Sequence, residues 1–189
     1  MVNIPDIVAR GQQFELIRED RSLRRFGGSE QVIMNRAAFW SFSIPLLPRF
    51  GVDAKGWRAA LTELANPANT FAAGPPGYRG AIYTGTATVS GANQLGRTLV
   101  VSAASSTTIV RAGEYFSVNG ELKVATATVV SSSGGAATLQ FEPPLRASPT
   151  NDASINFATP TADFRLIGPQ WALQPNRLHS AMLQAVESY

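Results

Sequence analysis

The stretch DAKGWRAALTELANP, residues 53–67, predicts the one well-capped helix of this chain. Its three large apolar residues recur at i, i+4 and i+7: Trp57, Leu61 and Leu64. Asp53 can cap the amide groups of the first turn and Pro67 ends the pattern, so we place the helix at about residues 53–66. Burial of each large side chain stabilises a fold by roughly 1.5–3 kcal/mol before the entropy of ordering is subtracted. A sheet must therefore lie beneath this helix, and its polar outer face is expected to be solvated.

The sequence before the helix favours strands. Residues 14–19, FELIRE, alternate apolar and polar side chains, which is typical of a strand. The clearest strand is VIMNRAAFWSFSIPLL, residues 32–47. Alternate residues of this run share one apolar face: Ala38, Trp40, Phe42, Ile44 and Leu46. Its proline, Pro45, predicts that the strand lies at a sheet edge or ends there.

Three arginines stand close together in DRSLRRF, residues 20–26, which we interpret as a short turn-like segment. Arg21, Arg24 and Arg25 could line a pore, contact phosphate or belong to a solvated loop. Short charge runs are usually exposed, so the solvated loop is the preferred interpretation. The pore alternative makes the same three residues candidates for contacts between subunits or with a lumen.

The composition changes at about Ile82, and residues 82–163 are rich in Thr, Ser, Ala, Gly and Val with short alternating runs. Asn119-Gly120 is the strongest short hairpin signal in the sequence, and SSSGG after Val130 predicts a second turn. Several short strands joined by tight turns predict a small barrel or sandwich. This block has four basic and five acidic side chains, so the positive charge of the chain lies outside it.

The last part of the chain is predicted to return to the first domain. DFRLIG and QWALQ favour strands, and residues 177–189, RLHSAMLQAVESY, fit either a helix or a strand. We choose the strand because the surrounding sequence is β-rich. The fold class is therefore mainly β, with one helix. An outer domain of residues 1–81 and 164–189 is interrupted by an inserted β domain of residues 82–163.

The composition indicates a soluble protein with a core of its own. The chain has 189 residues and no cysteine, which leaves no thiol nucleophile and no thiolate metal site. No run reaches the roughly 20 apolar residues of a membrane span, and the N-terminus has no secretory signal, so synthesis in a cytoplasm without membrane insertion is expected. A net charge of +3 is too weak to indicate nucleic-acid binding. Fourteen of the sixteen basic residues are arginine, which suits buried interfaces but also follows from a GC-rich genome.

Catalytic chemistry has little support in the sequence. The only histidine, His179, has no carboxylate near it in sequence to orient it as a base. The chain lacks G-x-S-x-G, and GPPGYRG at residues 74–80 lacks the lysine and Ser/Thr of a phosphate loop. No cluster of histidine, cysteine or carboxylate residues has metal-ligand spacing. We therefore expect no enzyme activity, no cofactor and no metal.

Aromatic residues form the other candidate site. Tyr115 and Phe116 lie next to the predicted hairpin, with Tyr78 and Tyr83 upstream. Together they could stack on a sugar or on single-stranded nucleic acid. The alternative is that one residue of the adjacent pair enters the core while the other meets a neighbouring chain, and we prefer this alternative.

Four stretches of the chain stand in a recognisable order: FWSFSIPLL, GWRAALTELANP, RAGEYFSVNGELKVATATVVSSSGGAATLQFEPPLR and SAMLQAVES. Together they resemble the distal tail proteins, which are tail-tip structural proteins of long-tailed, siphovirus-type bacteriophages, including members that carry an extra small β domain. The most specific portion is AGEYFSVNGELKVATATV followed by FEPPLR. The resemblance covers the chain from about Phe14 to Tyr189.

This resemblance implies a ring, usually of six copies, where the tail tube meets the baseplate or tip hub and its fibres. A β-sandwich-like domain with one helix would build the ring from residues 1–81 and 164–189, and residues 82–163 would project from it. The implied partners, in the virion at the tail tip, are further copies of the chain, the tail tube protein and the tail hub or baseplate proteins. DNA would pass through the lumen without sequence-specific binding. The alternative function is a carbohydrate-binding module for host adsorption, with Tyr115 and Phe116 as its surface aromatics.

Overall fold

The computed structural model describes residues 13–18, 21–24, 27–28, 30–33, 38–167, 173–174, 177–178 and 181–188. Contacts among its residues form two compact units. The first contains the described residues up to Glu15, Trp40–Gly77, and the described residues from Thr161 onward. The second contains Tyr78–Pro160, where the sequence predicted an inserted domain at 82–163, and also the described residues of Leu16–Phe39.

The described residues form one helix, α1 at Gly51–Leu64, and eighteen short strands. In chain order the strands are β1 (Gln13–Ile17), β2 (Arg21–Arg24), β3 (Glu30–Ile33), β4 (Phe39–Leu46), β5 (Arg49–Phe50), β6 (Phe71–Ala73), β7 (Ala87–Val89), β8 (Gly96–Ser102), β9 (Thr108–Val110), β10 (Tyr115–Val118), β11 (Glu121–Ala125), β12 (Val129–Val130), β13 (Ala136–Leu145), β14 (Ser154–Asn156), β15 (Ala162–Leu166), β16 (Leu173–Gln174), β17 (Arg177–Leu178) and β18 (Ala181–Glu187). The predicted fold class, mainly β with one helix, is confirmed.

The first unit contains a five-stranded sheet with the order β1-β4-β18-β15-β6. Buried and half-buried residues alternate along the whole of β4, so the predicted apolar face is confirmed over Phe39–Leu46. The predicted strand of residues 32–47 is too long at its start, because Val32 and Ile33 belong to β3. Phe14 stacks on Trp40 at a centroid distance of 4.8 Å, and Phe42 meets Phe164 edge to face at 4.8 Å. Trp40 and Phe42 therefore serve the core of this unit.

Two predictions about this sheet concern Pro45 and the last strand. β4 lies between β1 and β18, so the prediction of an edge position for Pro45 is wrong. The strand ends at Leu46, one residue after Pro45, so the alternative that the strand ends there is confirmed. Pro45 is aligned with Met182 of β18 one residue before β4 ends, and it supplies no N–H to the ladder there. The strand chosen for the last stretch is also confirmed, since β18 pairs with both β4 and β15.

The helix begins earlier than the sequence predicts. Phe50 is extended at the N-cap position and provides no side-chain cap, so the prediction that Asp53 caps the helix is wrong. Asp53 instead lies in the first turn, where its charge favours the positive end of the helix dipole. The three predicted inward residues are confirmed as buried: Trp57, Leu61 and Leu64. The helix contacts β5 and β17 of a small three-stranded sheet, β16-β17-β5.

The arginine-rich segment predicted as a turn contains a strand. β2 pairs antiparallel with β3, and Arg21 is aligned with Ile33. Gly28, with a φ of 84°, lies in the connection between the two strands. The turn-like interpretation is therefore wrong for Arg21–Arg24, because the partner strand lies beyond the glycines and no local pattern marks it.

Six strands of the second unit close into a barrel with the order β10-β11-β13-β8-β7-β14. The predicted Asn119-Gly120 hairpin joins β10 to β11, and the two residues have φ values of 53° and 75°, as a tight two-residue turn requires. The SSSGG turn lies between β12 and β13, as predicted. Three phenylalanines lie in the barrel core: Phe116, Phe141 and Phe157. The sequence predicted either a barrel or a sandwich, and the barrel is confirmed.

Candidate functional site

The first candidate surface is an exposed apolar segment of the first unit, residues 47–52, between the end of β4 and the first turn of α1. Leu47, Phe50 and Val52 have exposed fractions of 54%, 59% and 82%. Gly51, with a φ of 63°, turns the chain from β5 directly into the helix. These three large apolar side chains lie within six residues of one another in sequence, and apolar side chains exposed together are suited to being covered by another protein.

The second candidate is an open depression of about 260 Å³ on the face of the five-stranded sheet that carries the serines of β4. Its lining is mostly polar: Gln13, Glu15, Ser41, Ser43 and Gln184, together with Phe42 and Ile167. Ser43 is aligned with Gln184 across β4 and β18, and Ser41 Oγ donates to the Ala185 carbonyl at 3.4 Å. These amide, hydroxyl and carboxylate groups can hydrogen-bond to another chain.

The predicted arginine site lies mostly outside the described residues. Arg21 and Arg24 have a described main chain, at the two ends of β2, while their side chains are not described. Arg25 lies outside the described residues altogether. The role of these arginines in subunit or lumen contacts stays a prediction.

The barrel wall separates the predicted aromatic pair. Phe116 is completely buried and contacts Phe141 edge to face at a centroid distance of 5.6 Å. Its predicted role as a surface-binding aromatic is therefore wrong, because adjacent strand residues point to opposite faces and Phe116 points inward. Tyr83 is also buried, at 5% exposure. The alternative in which one residue of the adjacent pair enters the core is confirmed for Phe116.

Tyr115 lies beside Tyr78, and both side chains are half-buried. Their rings meet edge to face at a centroid distance of 5.2 Å. The Tyr78 hydroxyl donates to the Tyr115 carbonyl and accepts from the Tyr115 N–H, both at 3.2 Å. Burial raises the pKa of both hydroxyl groups, and Glu114 raises that of Tyr78 further, against the lowering effect of its backbone hydrogen bond. The pair is neutral at neutral pH and held in one geometry.

The barrel contains a buried ion pair that was not predicted from the sequence. Lys123 is completely buried, and its Nζ lies 2.6 Å from Glu121 Oε2 and donates to the Pro144 carbonyl at 3.0 Å. The Glu121 carboxylate also accepts from the N–H groups of Arg146 and Ala147, at 3.1 and 3.2 Å. The run ELKVA carries a signal, since charges at i and i+2 of a strand share one face. Closed off from solvent, the pair ties β11 to the end of β13 and offers no accessible reactive group.

Two arginines meet one carboxylate of the second unit. Arg97 Nε lies 2.6 Å from Glu142 Oε1, and Arg18 Nη2 lies 3.2 Å from Glu142 Oε2. The Arg18 contact has an ion-pair distance but not hydrogen-bond geometry, and Oε2 accepts no hydrogen bond from the described residues. All three side chains are partly exposed, and such pairs stabilise a fold by roughly 0–1 kcal/mol. The bridge connects the segment after β1 with β8 and β13.

The described ranges bear on metal binding and on membrane insertion. In them, no group of three or more histidine, cysteine, aspartate or glutamate side chains could hold a metal ion. No helix in this part of the chain is long and apolar enough to cross a membrane. His179 lies outside the described residues.

No protein-family model matches this chain, and a comparison with curated proteins finds no similar sequence. The resemblance to distal tail proteins therefore stays a prediction. What bears on function is the pair of candidate surfaces in the first unit and the aromatic pair of the barrel.

Proposed function

We propose that this chain is a structural protein of a phage tail tip, and not an enzyme. Copies of it assemble into a closed ring, of six as the resemblance implies, that joins the tail tube to the tip hub and its fibres in the virion. The mainly β fold with one helix and a small barrel is consistent with this role. Ring assembly requires a heterologous contact, in which one face of each copy meets a different face of the next.

The observation that carries the proposal is the exposed apolar segment 47–52. Single exposed apolar residues are ordinary, whereas three large ones within six residues are typical of a contact surface. A standard protein contact covers about 800 Å² on each partner, so the segment would form the centre of such a contact and polar residues its rim. The polar depression shares no residue with the segment, so it is a second candidate surface for the heterologous contact that a ring needs.

Negative-stain electron microscopy tests the ring, with light scattering on the same sample to give the mass and copy number. Val52→Asp places a charge in the proposed contact and should convert rings into single copies with unchanged circular dichroism. Val130→Asp is the matched control, since Val130 is 58% exposed on the second unit and should leave the rings intact. Wild-type protein that stays monomeric both alone and with purified tail tube protein would contradict the proposal.

The lumen of such a ring must pass DNA without retaining it, and Arg21, Arg24 and Arg25 are the proposed lumen contacts. Arginines that face phosphate without an opposing carboxylate bind it in a salt-dependent way. Filter binding of duplex DNA should therefore be weak and should fall steeply with added salt. Binding that is absent or independent of salt would remove the lumen role while leaving the ring itself untouched.

The alternative proposal is a carbohydrate-binding module for host adsorption. With Phe116 buried, its aromatic surface is reduced to Tyr115 and its neighbour Tyr78. A glycan array with the intact protein tests it. A bound sugar that Tyr115→Ala no longer binds would support the module, and a silent array would exclude it for the sugars presented.

A further inference from the structure

The chain enters the barrel at Tyr78 and leaves it at Pro160, and the two connecting segments lie side by side. The Ala81 N–H donates to the Phe157 carbonyl at 3.1 Å. A Cβ at Gly80 would lie 2.5 Å from the Ala158 carbonyl oxygen. Only glycine permits this approach, and glycine also readily adopts the φ of 87° found there. The two segments are therefore packed backbone against backbone.

The barrel seam between β10 and β14 is short at the same place. Within residues 38–167, β14 pairs with β10 at Ser117 and Val118, and this pairing does not extend to Tyr115. The Tyr78 hydroxyl donates to the Tyr115 carbonyl and accepts from the Tyr115 N–H, at 3.2 Å each. The Tyr78 hydroxyl thus satisfies the N–H and the carbonyl of Tyr115, which a longer β14 would otherwise have bound.

The return segment is fixed by Asn156. Its side-chain amide accepts from the Thr159 N–H at 3.0 Å and donates to the Thr159 carbonyl at 2.8 Å. These two bonds close a turn over residues 156–159, and this turn contains the Ala158 carbonyl that packs against Gly80. Both connecting segments are therefore held by side chains that bind main-chain groups.

We propose that Tyr78–Ala81 and Phe157–Pro160 form a clamp that closes the seam between β10 and β14 and opens before the barrel does. The Tyr78 hydroxyl is its latch. The clamp keeps the two ends of the barrel together when the chain outside it moves. Every contact lies within a single copy of the chain, so the clamp does not depend on the proposed ring.

Trypsin can detect opening of the clamp, because the Arg79 side chain is exposed while its peptide bond to Gly80 lies between the clamped residues. Cleavage requires the segment to open, so its rate follows the open population. Tyr78→Phe removes only the hydroxyl and keeps the edge-to-face contact between the aromatic rings of residues 78 and 115. Cutting after Arg79 should become about tenfold faster, which corresponds to about 1.4 kcal/mol in the opening equilibrium. Cutting after Arg111, which is also exposed, should change little.

Tyr83→Phe is the matched control for the loss of a tyrosine hydroxyl. The Tyr83 hydroxyl donates to the Thr86 carbonyl at 2.9 Å and accepts from the Ala104 N–H at 3.1 Å. This variant therefore loses the same number of hydrogen bonds in the same unit, but outside the clamp. Equal acceleration at Arg79 in both variants, or none in Tyr78→Phe, would overturn the proposal.

Asn156→Ala provides a second variant if Tyr78→Phe fails to fold. Asn156 is exposed, so its loss opens the return segment without a cavity in the core, and it should also accelerate cutting after Arg79. In the wild-type chain, the N–H groups of Tyr115 and Ala81 should exchange with solvent faster than the barrel strands. Exchange of these two groups only at the rate of Val118 would show that the clamp and barrel open together, contrary to the proposal.

Discussion

Replacement of Lys123 by methionine should destabilise the barrel far more than a replacement at its surface. Methionine keeps most of the side-chain volume and removes the charge. Glu121, at 5% exposure, then retains a negative charge away from solvent. Its remaining contacts are the N–H groups of Arg146 and Ala147, and its remaining cationic contact is Arg146 Nε at 3.8 Å.

Removal of one partner from a buried ion pair typically costs about 3–5 kcal/mol, because the other charge is left unpaired. We expect about 3 kcal/mol for Lys123→Met, since two main-chain donors still stabilise the Glu121 carboxylate. Glu121→Gln leaves the lysine charge in place and should cost a similar amount. The double variant removes both charges and should cost about as much as either single change, which corresponds to a coupling energy of about 3 kcal/mol.

The two compact units can be followed separately during urea unfolding. Residues 78–160 contain no tryptophan, so hydrogen exchange across them reports the barrel, while fluorescence reports the three tryptophans outside that range, Trp40, Trp57 and Trp171. Each single variant should lower the exchange protection of the barrel. A double variant that loses as much stability as the two single variants added together would refute the reasoning, since the charges would then act independently.

Three further measurements test the helix, the hairpin and the latch. Leu61→Ala, at 0% exposure, should cost about 2–5 kcal/mol in urea unfolding, and exposed Thr62→Ala about 0.5 kcal/mol or less; equal losses would contradict the packing of α1. Gly120→Ala forces alanine to a φ of 75° and should cost about 1–2 kcal/mol by hydrogen exchange, with Asn119→Gly close to neutral; the reverse order would contradict the turn. Burial raises the pKa of Tyr78 above its ordinary value of 10.0, so its stabilisation is fully present below pH 10.0 and is lost as pH rises through the folded-state pKa. Barrel stability should thus fall in alkali less steeply in Tyr78→Phe than in the wild type, and equal slopes would contradict this.

Sequence patterns predict those elements of the fold that are determined by residues adjacent in sequence. The alternation along β4 and the Asn119-Gly120 turn depend on neighbouring residues alone, and both are confirmed. The start of α1 differs from the prediction because Phe50 is extended and Gly51 lets the helix begin two residues before Asp53. Strand β2 is not predicted for two reasons. Its partner β3 lies beyond two glycines, and the β2 sequence RSLR has no alternation of apolar and polar residues.

The candidate site residues depend on long-range pairing that no local pattern contains. The sequence indicates that one of Tyr115 and Phe116 enters the core but does not say which one. Phe116 is aligned with Lys123 across β10 and β11, and both are completely buried. A lysine in a strand is ordinarily expected at the surface. Its ion-pair partner Glu121 is two residues away in sequence, whereas the Pro144 carbonyl that also accepts from Lys123 is distant and is marked by no local pattern.

The distribution of exposed apolar side chains separates the two proposed functions. On the second unit the exposed apolar side chains are Ile82, Leu95, Val100 and Val130, and of these only Leu95 and Val100 lie within six residues of each other. Scattered exposure of this kind is ordinary for a folded domain, whereas the segment 47–52 of the first unit concentrates three such side chains. Val52→Asp should therefore change the particle mass and leave any sugar binding intact. Tyr115→Ala should abolish sugar binding and leave the particle mass unchanged. It removes the aromatic side chain but keeps the main-chain groups that Tyr78 binds. A variant of either kind that changed both properties would mean that adsorption requires the assembled ring, so the two functions would then be one.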